Sequence, residues 1–209
     1  ERIRFTTSHP WDFSDEMVDV IAQYDNIMPF IHLPVQSGDS DVLKLMGRRY
    51  SIEQYKTLFH KIEEKIPGCA ISTDIIVGFP NETKEQFQHT LDLVDECKFD
   101  NAFTFIYSPR EGTPAARMED NIPLEEKQER LQQLNERWNK YALEKNLAYI
   151  GKTVKVLVDG PSKKNKDIYS GYTDTNKLVN FVRKDAEPGD IVEVKITDAK
   201  TFSLDGEQL

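Results

Sequence analysis

Apolar and polar positions change rhythm twice along this chain of 209 residues. Up to Ser108, short apolar runs alternate with stretches whose apolar residues recur every three or four positions. RIRFTT (Arg2 to Thr7) alternates and predicts a strand closed by Ser8-His9-Pro10-Trp11. Ser14 is placed to cap a helix to about Tyr24, with Met17, Val18, Val20 and Ile21 as its stripe. The run Ile31 to Val35 predicts a second strand, delivering the polar trio Gln36-Ser37-Gly38 and an acidic helix start at Asp39 to Asp41. Val42, Leu43, Leu45 and Met46 are expected on that helix's buried side. Ser51 with Gln54 and Thr83 with Gln86 form two capping boxes, each opening a helix of apolar periodicity. Between them AISTDIIV (Ala70 to Val77) reads as a buried strand, and AFTFIY (Ala102 to Tyr107) as another. Strand and helix thus alternate four times, which implies a parallel sheet with right-handed crossovers. Four strands are too few to close an eight-stranded barrel. Either the sheet is open or more strands precede Glu1.

A long helix follows, entered through Pro123 and running to about Asn146, with Leu124, Leu131, Leu134, Trp138 and Tyr141 in its stripe. From Gly151 the period becomes two. TVKVLV (Thr153 to Val158), Tyr169 to Tyr172, Leu178 to Val182 and IVEVKIT (Ile191 to Thr197) predict a small five-stranded barrel of the oligonucleotide-binding kind. The fold class is therefore α/β followed by a small all-β barrel. The domains are expected at 1–146 and 147–209.

Two cysteines, Cys69 and Cys97, stand in no metal-ligand spacing and exclude a disulfide scaffold. The chain reads as cytoplasmic, with no membrane-spanning run. Glu1 leads directly into a strand-like segment, as expected of a portion excised from a longer protein. The net charge of −9 argues against global attraction to nucleic acid, but it is unevenly spread. Residues 1–146 hold 17 basic against 26 acidic residues, and 147–209 hold ten of each. Gly160 to Lys184 carries six bases against Asp167 and Asp174. Tyr169, Tyr172 and Phe181 are interleaved among those bases, so rings and cations could meet bases and phosphates. An ordinary charged barrel surface over core aromatics explains the same pattern.

Each predicted strand of the first part ends in polar residues: Ser8 and His9, Gln36 and Ser37, Asp74, and the Tyr107-Ser108 corner. Polar strand ends beside helix starts form the ligand-binding side of parallel α/β units. Gly38 would let the backbone approach a ligand. Asp74 stands out, since a carboxylate inside such a run needs a strong partner. Its bland alternative is an anchor for a neighbouring amide. Arg48 supplies a positive group one helix beyond Gln36, or is merely a solvated helix end. His32 reads as structural, and no P-loop, GxGxxG or Ser/His/Asp motif is present.

RFTTSHP, HLPVQSG, LKLMGRRY, TDIIVGFPNET and FTFIYSPREGTPAA, in that order, resemble the radical S-adenosylmethionine methylthiotransferases. SKKN, GYTDTNKLVNF and AKTFSLDGE resemble that family's C-terminal TRAM domain, a small RNA-binding barrel. The resemblance implies the C-terminal portion of an incomplete (β/α) radical SAM barrel followed by an OB-like TRAM barrel. It implies addition of a methylthio group at C2 of N6-isopentenyladenosine beside a tRNA anticodon. It further implies S-adenosylmethionine, two [4Fe–4S] clusters and an external electron donor. Gln36, Arg48 and Asp74 match positions that contact S-adenosylmethionine in the family. Lys163, Lys164 and Arg183 are the expected RNA contacts, with Tyr172 or Phe181 near a base. The family's CxxxCxxC motif is absent, so both clusters are expected on residues N-terminal to this chain, and the chain alone is expected to be inactive. Two alternatives stay open. One is a sister methylthiotransferase acting on threonylcarbamoyl-adenosine tRNA or a ribosomal protein; the other is a non-catalytic RNA-binding protein on a degenerate barrel.

Overall fold

The computed structural model describes residues 2–6, 9–162 and 165–209. The chain forms two compact units: Phe5–Tyr24 with Ile31–Trp138, and Glu1–Arg4 with Asp25–Phe30 and Asn139–Leu209. The first unit is built on a three-stranded sheet, order β1-β2-β3, of β1 (Phe30–His32), β2 (Ala70–Val77) and β3 (Asn101–Ile106). Its helices are α1 (Asp15–Gln23), α2 (Ser40–Leu45), α3 (Ile52–Lys65), α4 (Lys84–Cys97) and the first part of α5 (Leu124–Leu147). Both expected capping boxes close, at Ser51/Gln54 and Thr83/Gln86. Ser14 and Asp39 cap α1 and α2, Asp39 taking the amides of Asp41 and Val42.

The strand expected at Arg2 to Thr7 does not form. Within residues 2–6 only Ile3 makes an isolated parallel bridge, to Ile27, and Thr7 lies outside the described residues. The alternation was real, but its arginines have other work. The Arg2 guanidinium donates to the carbonyls of Tyr172 (3.0 Å) and Lys155 (2.8 Å). Two stripes also differ from expectation. In α2 only Val42 and Leu43 are buried, and Leu45 is exposed because the helix is six residues long. In α5 the buried positions are Lys127, Arg130, Leu134, Trp138, Ala142 and Asn146, while Leu124 is exposed. Two cations enter the core face because carboxylates wait there: Lys127 pairs with Asp120 at 2.5 Å and Arg130 with Glu82 at 2.6 Å.

The second unit contains a closed barrel, order β4-β5-β6-β8-β7. Its strands are β4 (Thr153–Pro161), β5 (Ile168–Tyr172), β6 (Leu178–Val182), β7 (Ile191–Ala199) and β8 (Leu204–Gln208). Parallel pairing of β6 with β8 closes it, amid otherwise antiparallel ladders. Val156, Val158, Tyr169, Val179, Phe181, Val194, Ile196 and Leu204 fill the interior. Closure demands glycine at two points. A Cβ on Gly171 would meet the Leu157 carbonyl oxygen at 2.2 Å, and one on Gly206 that of Lys195 at 2.5 Å.

Candidate cofactor site at the strand ends

The end of the sheet is knitted by backbone before any side chain is counted. Past β1 the chain makes an isolated parallel bridge between Gln36 and Ile75. The Gln36 amide donates to the Asp74 carbonyl at 2.8 Å, and the Ile76 amide to the Gln36 carbonyl at 2.9 Å. Gln36 is buried and holds φ +73°, a conformation rare for a residue with a Cβ. Strain of that kind costs on the order of 1–3 kcal/mol and concentrates at ligand sites. Two of the three residues expected around a cofactor are thus direct neighbours.

Asp74 is half-buried, and its Oδ1 lies 3.4 Å from His32 Nε2. The other nitrogen of that ring, Nδ1, lies 2.8 Å from Ser72 Oγ. His32, expected to be structural, therefore orients the Asp74 carboxylate. Its ring also meets Phe103 edge-on, at 6.0 Å between centroids.

Arg48 follows α2 in the loop to α3. The hydroxyl of Tyr50, two residues on, donates to the carbonyls of Pro34 (3.2 Å) and Val35 (3.0 Å), pinning that loop beside the stretch leading to Gln36. Burial pushes the Tyr50 hydroxyl up to about 12, with nearby Arg48 acting in the opposite sense. It therefore remains a neutral donor at neutral pH. His9 meets the Tyr50 ring edge-on at 5.3 Å. Burial, and then the Arg48 charge, lower its pKa. Ser8 lies outside the described residues. Arg48 Nε is buried with no hydrogen-bond partner among the described residues. A buried unpaired guanidinium donor is costly, and it suits an anionic acceptor brought by a ligand. A cofactor with a carboxylate meets that need.

A second polar cluster follows β2. Glu82 Oε2 accepts the Gly78 amide (2.8 Å) and Arg130 Nη1 (2.6 Å), while Arg130 Nη2 reaches Glu126 at 2.6 Å. Burial raises the Glu82 pKa despite these partners. Sequence reading missed this cluster, although Lys127 and Arg130 fall at helical spacing with Leu134 and Trp138. Gly38 is also placed differently from expectation. A Cβ there would meet the Thr90 Cα at 2.5 Å, so the glycine serves close packing on α4 rather than approach to a ligand.

No set of three His, Cys, Asp or Glu side chains among the described residues could hold a metal ion. Cys97 is buried in α4, and Cys69 is half-buried with its thiol 3.7 Å from the Ala70 carbonyl. Among the described residues the two cysteines are therefore not placed to hold an iron–sulfur cluster.

In the barrel, Phe181 is fully buried and so is withdrawn as a base-stacking residue. The pattern that exposed it as a candidate was an alternating strand whose inward positions hold the aromatics. Tyr172 is half-buried with the Arg4 guanidinium 5.9 Å from its ring centre. Arg183 lies 4.8 Å over the Tyr169 ring and pairs with Glu187. Lys163 and Lys164 lie outside the described residues.

Comparison with known proteins adds to this geometry. Residues 1–94 match the Radical SAM superfamily and residues 147–209 the TRAM domain. The chain is 60% identical over 206 residues to the tRNA-2-methylthio-N(6)-dimethylallyladenosine synthases of Bacillus cytotoxicus, Bacillus mycoides and Shouchella clausii. Those matches cover 99% of this chain and 40% of each relative. The chain thus spans about 40% of the length of the curated relatives it matches. Among solved structures it is similar to coproporphyrinogen III oxidase from Escherichia coli, described as a radical SAM enzyme. That match has a TM-score of 0.56 at 16% identity, over 83% of this chain and 46% of that one. The family implies S-adenosylmethionine and iron–sulfur chemistry. No helix among the described residues is long and apolar enough to cross a membrane. With its strand-end site and its closed barrel, the chain carries a Radical SAM region over residues 1–94 and a TRAM domain over residues 147–209.

Proposed function

We propose that this chain is part of a cytoplasmic enzyme that adds a methylthio group to C2 of N6-isopentenyladenosine beside the tRNA anticodon. The observation that carries the reading is the strand-end site, with Gln36 and Asp74 joined by backbone and Arg48 Nε buried unpaired. It occurs in a chain 60% identical to synthases named for that product. Bound S-adenosylmethionine, with iron–sulfur clusters, supplies the methyl group and the radical that removes the C2 hydrogen. Arg48 holds the methionine carboxylate, and Gln36 and Asp74 hold other polar atoms of the cofactor. His32 keeps the Asp74 carboxylate turned toward the site. The two clusters sit on residues N-terminal to this chain, so the isolated chain is inactive, and electrons come from an external donor. The domains divide at 146/147, and the TRAM barrel grips the anticodon arm through Lys163, Lys164 and Arg183, the last releasing Glu187 to reach a phosphate.

The test is mass spectrometry of tRNA nucleosides from cells lacking the full-length gene. The methylthiolated base should vanish and N6-isopentenyladenosine accumulate. Unchanged methylthio content would overturn the reading, and loss from threonylcarbamoyl-adenosine instead would transfer it to the sister substrate.

A further inference from the structure

We propose that Phe103 and Phe105 form the floor on which the target adenine lies, with its N6-prenyl group against Ile76. The inference rests on the function proposed above and adds the residues that select the base. Strands β2 and β3 run parallel with Asp74 opposite Phe103 and Ile76 opposite Phe105. Side chains alternate along strands, so these four share one face. The opposite face is covered. Thr73, Ile75, Val77 and Ala102 are buried, and Thr104 bonds to Asn135 of α5 at 2.6 Å. The shared face is open: Phe103 and Phe105 are each 51% exposed, against the expectation of a buried strand.

The patch is continuous with the cofactor residues, because the Phe103 ring meets His32, which reaches Asp74. Chemistry at C2 of a base requires that base to leave its stack and lie beside the cofactor. A base so extruded needs a flat apolar surface, which aromatic side chains supply. Two rings on alternate residues stand roughly 7 Å apart, the span of a purine. The prenyl group is neutral, branched and apolar, as Ile76 requires. A threonylcarbamoyl group carries a carboxylate, and Asp74 at the edge of the patch would repel it. Charge and shape therefore select a prenylated adenine over the polar alternative.

The test uses the full-length protein and anticodon stem-loops bearing N6-isopentenyladenosine or plain adenosine at the target position. Wild type should prefer the prenylated loop. Phe103→Ala and Phe105→Ala should each weaken binding of both loops about tenfold, as loss of one base-stacking ring does, while Ile76→Ala should cut the preference for the prenylated loop. Phe103→Trp should keep the affinity, and its added emission relative to wild type should be quenched by the prenylated loop. Unchanged affinity in both phenylalanine-to-alanine variants would overturn the proposal, as would an unchanged preference in Ile76→Ala or tryptophan emission indifferent to the loop. Lower melting temperatures with intact affinity would also overturn it, placing protein rather than RNA on this face. A wild type with no preference would instead overturn the function on which the proposal rests.

Discussion

In the barrel β4–β8 every strand has two paired neighbours, and Tyr169 and Phe181 lie inside. In the sheet β1–β3 the strands at both ends have a free side within the sheet, and Phe103 and Phe105 stand half out of the protein. The same residue types thus do opposite things. Closure lets the barrel use Tyr169 and Phe181 as core, leaving charged side chains and loops on its outside. The open sheet keeps its rings, one carboxylate and one unpaired guanidinium donor available at a single end.

The comparison is broken most forcefully from the barrel side. Phe181→Ala should cost about 3–5 kcal/mol, the usual loss for a buried ring. Calorimetry should show the barrel's transition lowered or lost while that of the β1–β3 unit remains. Loss of both transitions together would mean that the two parts fold as one.

The corresponding lesion in the other unit is Arg130→Met. Leaving Glu82 buried without its cation should cost about 3–5 kcal/mol. Glu82 already has a raised pKa from burial, and the variant should raise it further. The deficit should therefore shrink as pH falls and the carboxyl is protonated. Denaturant melts of both proteins across the acid range would show it, and a pH-independent deficit would assign the loss to packing alone.

Smaller in free energy but specific to the site is Arg48→Ala in the full-length protein. Removing a charge-assisted bond of about 1.5–3 kcal/mol should weaken S-adenosylmethionine binding roughly ten- to a hundred-fold. Calorimetric titration with unchanged iron content is the check, and wild-type affinity would remove Arg48 from the site.

The smallest effect is a surface control. His60 lies 3.2 Å from both Glu96 and Glu63, and chiefly the Glu96 bond raises its pKa. Its stabilisation is fully present below the unfolded value of 6.5 and is lost as pH rises through the raised folded value. With half the side chain exposed, His60→Ala should cost about 0.5 kcal/mol or less, on the acid side alone. Melting curves at acid and alkaline pH should therefore converge at the alkaline end.

Most of this architecture could be read from local chemistry. Ser51/Gln54 and Thr83/Gln86 announce helix starts because capping is a contact between near neighbours. Gln36 and Asp74 were legible because polar residues at the ends of apolar runs need partners. What sequence could not show depended on distant segments. Arg2 to Thr7 alternates like a strand, yet Arg2 is engaged by β4 and β5 carbonyls that no local pattern reveals. Lys127 and Arg130 sit in a core stripe because Asp120 and Glu82 meet them there. Phe103 and Phe105 read as buried because hydrophobicity says what a residue prefers, not whether a neighbour covers it. Phe181 failed as an RNA contact for the converse reason.

The central claim is that the Gln36, Arg48 and Asp74 end of the sheet serves methylthiolation of tRNA. The most direct measurement complements cells lacking the gene with full-length wild type, Arg48→Ala or Asp74→Asn, and quantifies tRNA nucleosides by mass spectrometry. Wild type should restore the methylthiolated base. Both variants, at normal abundance and iron content, should leave N6-isopentenyladenosine unconverted. Full methylthiolation by both variants would contradict the account.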